Sequence, residues 1–504
     1  MGSVLDTRDG TLEGTTEEGG IHVFRGVPFA RAPIGPLRFA PPAPPEPLTG
    51  VRPAVAFGPV SHQSALGLGF MGAGQQPQSE DCLSLNIWTP GLDDARRPVM
   101  VFFHGGAFII GAGSEPLYDG RRLAARGDVV VVTANYRLGA LGYLAHPCLR
   151  DEATGACGNW GLLDQVAALE WVRDNIEAFG GDAGAVTIFG ESAGSGSVTT
   201  LMGTPRAAGL FRRVIAQSGT PWVASAEEAQ GNAERLAAVL GIDPDDDTAW
   251  RAVGPARFVD AQQQLMLSAG GGGVRLDSGM MAFRPTVDGA VLPGSPWDAV
   301  AAGSAAGVDL VIGTNRDEMK LFNMLDPGLS ELDDDGLAER LAALLDGGSA
   351  RRAIEAYRAA RHGRGEPVEA SELWTAMVSD QFFRAPAGRF AALQSLHAAA
   401  YAYLFCWESP MAALGSPHAI ELPFVFGTLD VPMVDMFAGS GPDAIRLSEL
   451  VQDAWVAFAR TGNPSTDALG RWPRYDDADQ ATMVLGRDCR VEKAPQAEEL
   501  AVWA

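Results

Sequence analysis

The pentapeptide GESAG, Gly190 to Gly194, is the only G-x-S-x-G in the chain. With 61 glycines in 504 residues, a random chain would hold on the order of 0.3 such matches, so its neighbours must decide what it is. Upstream lies VTIF, an apolar run suited to a buried strand, and downstream lies SGSVTTLM, a small-residue run able to start a helix. A tight strand-to-helix elbow needs small flanking residues and leaves its central side chain, Ser192, exposed at the carboxyl edge of a sheet. A serine hydroxyl is a weak nucleophile at neutral pH. It needs a general base, and that base needs an orienting acid.

Seven histidines make elimination possible. After an elbow of this kind the acid and then the base follow along the chain, which sets aside His22, His62, His104 and His146. His362 sits in RAARHGRG, a basic helix end where a solvated histidine is expected. His397 sits in QSLHAAA, just before an apolar run, where a packed or surface role is expected. His418, in LGSPHAIELPFVFG, follows a loop rich in Gly, Ser and Pro beyond a strand, as an active-site loop does. His418 is therefore the candidate base. For the acid, TNRDE offers Asp317 and Glu318. Either carboxylate could accept the imidazole hydrogen bond, leaving the other to pair with Arg316. Acyl chemistry also needs donors aimed at an oxyanion. In HGGAF, His104 to Phe108, missing side chains free the backbone N–H groups of Gly106 and Ala107, which the N–H of Ala193 beside the nucleophile would join.

The elements that must hold these groups are short apolar runs. LSLNIWTP (Leu83 to Pro90), PVMVFFHG (Pro98 to Gly105), DVVVVTANYRLG (Asp128 to Gly139) and AVTIFG (Ala185 to Gly190) lack period-2 alternation, as strands buried on both faces do. GLLDQVAALEWVRDNIEAFGG places Leu162, Leu163, Val166, Leu169, Val172 and Ile176 at helical spacing and stops at Gly-Gly. Strand, helix, strand predicts a mostly parallel sheet of α/β class. Further strands are expected at Val308 to Asn315 and Ala399 to Trp407, with helical insertions around them. The first 60 residues, rich in Pro and Gly, read as a small extended ribbon. Ser268 to Gly279 and Gly67 to Gly74 read as loops, and Ser330 to Gly336 as a solvated helix start. No repeat or linker divides the chain, so a single domain over residues 1–504 is expected.

Composition narrows the function. Sixty-two acidic against 38 basic residues give a net charge of -24, which disfavours nucleic acid and anionic lipid as partners. The most apolar segment, Pro98 to Gly113, is shorter than the ~20 residues a membrane span requires. Asp6, Arg8 and Asp9 break the opening residues before any leader could form, so a cytoplasmic protein is expected. Five cysteines, an odd number without a CxxC pair, read as buried free thiols with no metal site, a Cys148 to Cys157 bridge being the one alternative.

The chain resembles the type-B carboxylesterase and cholinesterase family of α/β-hydrolases. The resemblance rests on ordered segments from FRGVPFARAPIGPLRF through SEDCLSLNIWTP, FFHGGAFIIGAGS, NYRLGALGYL, VTIFGESAGS, IAQSGT, IGTNRDE and HAIELPFVFG to FARTGNPS. It implies an α/β-hydrolase fold and a cofactor-free, monomeric serine esterase acting on small to medium esters through a triad of Ser192, Glu318 and His418. It chooses Glu318 over Asp317, because the family acid is the second carboxylate of the DE pair. It further implies ion pairs Arg38 with Glu80 and Arg137 with Asp164, supports of the triad at Glu191 and Ser218, and an acyl-side wall at Trp222. The sequence departs from the family at Met319, where DEG is usual, and at Ser61, where the cysteine partner of Cys82 would stand. The choline-binding aromatic segment has no counterpart in SHQSALGLGFMGAGQQ. An amidase or carbamate hydrolase with the same triad, or a non-catalytic binding protein on the same fold, are the rival readings.

Overall fold

The computed structural model describes residues 2–64, 76–269, 281–324, 326, 328–345 and 347–503. The expected loop Gly67 to Gly74, and all of Ser268 to Gly279 except Ser268 and Ala269, lie outside them. One sheet runs through the molecule. Its strands are β1 (Gly2–Thr7), β2 (Gly10–Thr16), β3 (His22–Pro28), β4 (Val51–Pro53), β5 (Ser84–Thr89), β6 (Arg97–Phe103), β7 (Val130–Ala134), β8 (Gly181–Glu191), β9 (Arg213–Gln217), β10 (Asp309–Asn315), β11 (Ala400–Phe405), β12 (Ala481–Leu485) and β13 (Arg490–Lys493). The order is β1-β2-β3-β5-β7-β6-β8-β9-β10-β11-β12-β13, with β4 beside β2. From β7 to β12 neighbours run parallel, while β1, β2, β3, β5 and β13 extend the two edges antiparallel. The N-terminal ribbon is thus continuous with the main sheet, through β3 on β5.

The central strands are mostly apolar, without period-2 alternation, because both faces are covered. Along β6, Val99, Val101 and Phe103 enter one core while Met100 and Phe102 enter the other. Along β7, Val130, Val132 and Ala134 alternate with Val131 in the same way. The helix Trp160–Asn175 crosses from β7 to β8 with all its predicted apolar positions buried, and Gly180 at φ 75° ends the crossover. The expected run Asp128 to Gly139 is a strand only over β7. Asn135 leaves the ladder to accept the Gly113 N–H at 2.9 Å, and Gly139–Tyr143 is already helical. Asp333 caps the helix Asp334–Leu341 by accepting the Gly336 N–H, the solvated start expected there.

Among the described residues the five cysteines are free, so no Cys148 to Cys157 bridge forms. Burial pushes the Cys82 thiol up to about 12. Ser61 accepts the Leu138 N–H at 3.2 Å, a backbone role that a disulfide would not serve. Both implied ion pairs are present. Arg38 grips Glu80 through Nε and Nη2 at 2.6 and 2.5 Å, and Arg137 grips Asp164 through Nε and Nη2 at 2.8 and 2.7 Å. No described helix is long and apolar enough to cross a membrane.

Candidate active site

Register brings the candidate residues to one edge. Phe103 ends β6 opposite Gly190 of β8, Glu191 lies opposite Gln217 of β9, Gln217 opposite Gly313 of β10, and Asn315 opposite Phe405 of β11. The carboxyl ends of parallel strands are where open α/β sheets place ligands. At the end of β8 the chain reverses into the helix Ala193–Met202 through Ser192, whose φ of 57° and ψ of -121° a side-chain-bearing residue adopts only under constraint. The constraint comes from the Ser192 N–H, which donates to the Gln217 carbonyl at 2.8 Å, and from the Gly196 N–H, which donates to the Ser192 carbonyl at 2.8 Å. The flanking glycines are steric requirements. A Cβ on Gly194 would collide with the Phe103 carbonyl oxygen, and one on Gly190 would lie 2.5 Å from the Gly194 carbonyl.

Beyond β6, Gly106 and Ala107 have φ of 103° and 54°, turning the HGGAF backbone back toward the elbow. The N–H groups of Gly106, Ala107 and Ala193 donate to no described protein acceptor. His104 anchors this loop. It stacks on Tyr136 at 4.5 Å, its Nδ1 donates to the Gly105 carbonyl at 2.8 Å, and its own carbonyl accepts the Tyr136 hydroxyl at 2.7 Å. Burial lowers its pKa to about 4, so it is neutral at physiological pH.

The two candidate acids separate cleanly. Glu318, fully buried, accepts His418 Nδ1 on Oε2 at 2.6 Å and the Asn315 N–H on Oε1 at 2.7 Å. Asp317 turns the other way, to Arg316 at 2.8 Å and to the Ser416 N–H at 2.8 Å. His362, in the last turn of the helix Gly347–Arg364, is exposed, and His397 Nε2 donates to the Ala301 carbonyl. His418 is 4% exposed, and its ring lies between Phe322 and Phe383, with centroids 5.0 and 5.1 Å away. Its Nε2 lies 3.0 Å from Glu191 Oε1, and it makes no hydrogen bond to Ser192 Oγ. Hydrogen bonds between a nucleophile and its base often tighten only in the substrate complex. Glu191 and Ser192 both abut Gly105, where an added Cβ would lie 2.6 Å from Glu191 Oε2 and 3.0 Å from Ser192 Cβ.

Charge is concentrated here. Burial pushes Glu191 and Glu421 up from the usual carboxylate range, and neighbouring carboxylates add to the effect. Burial works against a charged His418, but the carboxylates of Glu191 and Glu318, with the Glu318 hydrogen bond, outweigh it and raise its pKa. Glu421 accepts Gln217 Nε2 and Asn315 Nδ2 at 3.0 and 2.7 Å, bracing the residue whose backbone holds Glu318. Ser218, at φ 55°, is braced through its N–H to the Gly313 carbonyl, but its hydroxyl has no partner and makes no bond to the candidate triad.

Sequence reasoning missed most of the aromatic wall. Trp222 packs on Phe382 and Phe383 at 5.2 and 5.9 Å, and its ring would meet a Cβ on Gly196, one turn from Ser192. Phe322 and the Phe382–Phe383 pair come from helices after β10, and only their aromatic type hinted at a pocket. No group of three or more His, Cys, Asp or Glu suited to a metal occurs among the described residues.

Comparison with known proteins bears on these features. The carboxylesterase family model matches residues 2–503. The chain is 39% identical to para-nitrobenzyl esterase of Bacillus subtilis (strain 168), over 98% of this chain and 97% of that one. It is 36% identical to phenmedipham hydrolase of Pseudarthrobacter oxydans, over 96% and 95%. Among solved structures, a PNB esterase superposes with a TM-score of 0.88 at 39% identity, covering 100% and 99% of the two chains. A carboxylesterase of Geobacillus stearothermophilus superposes at 0.86 and 38% identity, covering 99% and 100%. The superpositions identify the sheet and its helices as an α/β-hydrolase fold.

Proposed function

Since the chain belongs to the carboxylesterase family and is a carboxylic ester hydrolase, we propose that it works through an acyl-enzyme on Ser192, with His418 as base and Glu318 as its orienting acid. The observation that carries this reading is the 2.6 Å bond from His418 Nδ1 to a fully buried Glu318. It fixes the tautomer in which Nε2 is the unprotonated nitrogen. Ser192 Oγ attacks the ester carbonyl while His418 Nε2 takes its proton. The new oxyanion is met by the N–H groups of Gly106, Ala107 and Ala193. His418 then gives the proton to the departing alcohol, and water hydrolyses the acyl-enzyme with the roles reversed. In this scheme Glu191, 3.0 Å from His418 Nε2, supports the imidazole, and Ser218 braces the loop behind the nucleophile through its backbone N–H. The substrates are small to medium esters, handled without a cofactor by a monomer whose single catalytic domain spans residues 1–504.

Ser192→Ala should lower kcat on a short-chain chromogenic ester by at least about 10⁴-fold with the fold intact. Retention of a tenth of the activity would overturn the assignment. Matched ester and amide substrates test the amidase rival, since the leaving group is selected by pocket shape and not by the triad.

A further inference from the structure

Between the helices Ala370–Ser379 and Ala385–Ser395 the backbone widens into one π-helical turn, Asp380–Arg384. Its cause is in the sequence. Pro386 has no N–H for the preceding turn, and its ring would strike the carbonyl four residues back in a regular α-helix. Such turns recur at functional sites, and this one reaches both sides of Glu318. Arg384 Nη2 donates to the Arg316 carbonyl at 3.0 Å, two residues before the acid. Ser379 Oγ accepts the Met319 N–H at 3.1 Å, directly after it. The turn is itself tied down. Asp380, buried, pairs with Arg384 at 3.1 Å and accepts the Tyr357 hydroxyl at 2.7 Å, which in turn accepts Trp503 Nε1 at 2.7 Å. The same turn carries Phe383, whose ring stands 5.1 Å from His418.

We propose that the π turn is a clamp that positions the acid of the triad, with Arg384 and Ser379 as positioning residues gripping the peptide groups on either side of Asp317–Glu318. This rests on the reading of Glu318 as the orienting acid. Met319 stands where the family pattern has glycine, and its N–H is one of the two gripped groups. The Glu318 carboxylate meets its imidazole at 2.6 Å, so a displacement of about 1 Å is of the size that costs on the order of 100-fold in rate. The outer side of the clamp opens on a cavity of about 380 Å³ lined by Arg316, Asp317, Asp380, Arg384 and Glu499, so a small cation can reach it.

The test compares Arg384→Ala, Arg384→Lys and Ser379→Ala with Glu318→Gln in the full-length enzyme, measuring kcat, KM and the pH dependence of kcat/KM on a neutral ester. Arg384→Ala should lose about 10- to 100-fold in kcat with KM within about twofold. Its acidic limb should move to lower pH, because a Glu318 drawn back from the ring supports the imidazolium less, leaving Glu191 and Glu421 as the carboxylates facing it. Arg384→Lys should restore part of kcat, as should added guanidinium entering the cavity. Ser379→Ala should show the same loss in smaller measure, and it keeps the test open if Arg384→Ala does not fold. A folded Arg384 variant with kcat within about twofold of wild type, or one whose loss in kcat leaves the acidic limb in place and is not relieved by guanidinium, would overturn the clamp. Near-normal activity of Glu318→Gln would instead overturn the triad reading beneath it.

Discussion

Glu318→Gln is the most discriminating change because the two oxygens of Glu318 serve two donors. Oε2 accepts His418 Nδ1 at 2.6 Å and Oε1 accepts the Asn315 N–H at 2.7 Å. An amide offers only one acceptor oxygen. If that oxygen faces Asn315, the amide NH₂ faces Nδ1, which must then be the unprotonated nitrogen, and Nε2 carries the proton that it ought to accept from Ser192. If the oxygen faces His418 instead, the amide NH₂ meets the Asn315 N–H at 2.7 Å and a buried donor goes unpaired, costing roughly 1–3 kcal/mol. The first arrangement is the stable one, and it traps the wrong tautomer. In hydrolases with such triads the wrong tautomer lowers kcat by about 10⁴-fold, equivalent to about 5 kcal/mol of transition-state stabilisation. The assay is steady-state hydrolysis of a short-chain chromogenic ester at pH 8, with circular dichroism to show that the fold persists. Asp317→Asn is the control, since Asp317 faces Arg316 and the Ser416 N–H and its change should leave kcat within about threefold. A kcat for Glu318→Gln within tenfold of wild type, or an Asp317→Asn as damaged as Glu318→Gln, would refute this assignment of the two carboxylates.

The pH profile follows from the same contacts. The proposed base must be neutral to act, and Glu191 and Glu318 raise the His418 pKa, so kcat/KM should fall as pH drops through a limb above the ordinary 6.5 of imidazole; a limb at pH 6 or below in a titration from pH 5 to 9 counts against it. Away from the site, Arg137→Ala strands Asp164, a fully buried carboxylate, and should cost about 3–5 kcal/mol, lowering the calorimetric midpoint by about 3–5 °C; an unchanged midpoint would show the pair to be dispensable.

What could be read in the sequence, and what could not, divides along chain separation. Ser192 was legible because its constraint is local: the glycines that avoid the Phe103 and Gly194 carbonyls stand within two residues of it. The candidate oxyanion loop was legible for the same reason, and His418 as the candidate base because few histidines compete with it. Asp317 and Glu318 were not separable from the residues themselves, since adjacent carboxylates in one loop differ only in which way the chain turns. That turn is set by β10 ending at Asn315 and a helix starting at Met319. The edge strand β13 was missed because it is short and exposed, and β12 because its five residues look like any apolar run until a partner pairs with them. Phe322 and Phe383 reach His418, and Phe382 reaches Trp222, only through the packing of elements far apart in sequence. The π turn depends on Pro386 meeting a helix that two distant aromatics, Tyr357 and Trp503, hold in place.

The carboxylates around His418 have one chemistry and different environments, and that difference sorts their roles. Glu318 accepts the Asn315 N–H and the imidazole Nδ1. Glu421 receives two side-chain amides, which offset part of the effect of burial. Glu191 Oε1 receives no hydrogen bond and faces only the imidazole, so burial holds its proton on more strongly. Two like charges about 5 Å apart repel by about 3 kcal/mol at an effective dielectric near 20, which disfavours ionising every member of such a set at once. Of the two carboxylates that burial pushes up, Glu191 and Glu421, Glu191 has fewer hydrogen-bond donors to hold its anion. In the proposed mechanism the imidazolium made when Nε2 takes the Ser192 proton lies 3.0 Å from Glu191 Oε1, and its positive charge favours the Glu191 anion. The second letter of GESAG thus places a buried carboxylate against Nε2, on the far side of the imidazole from Glu318.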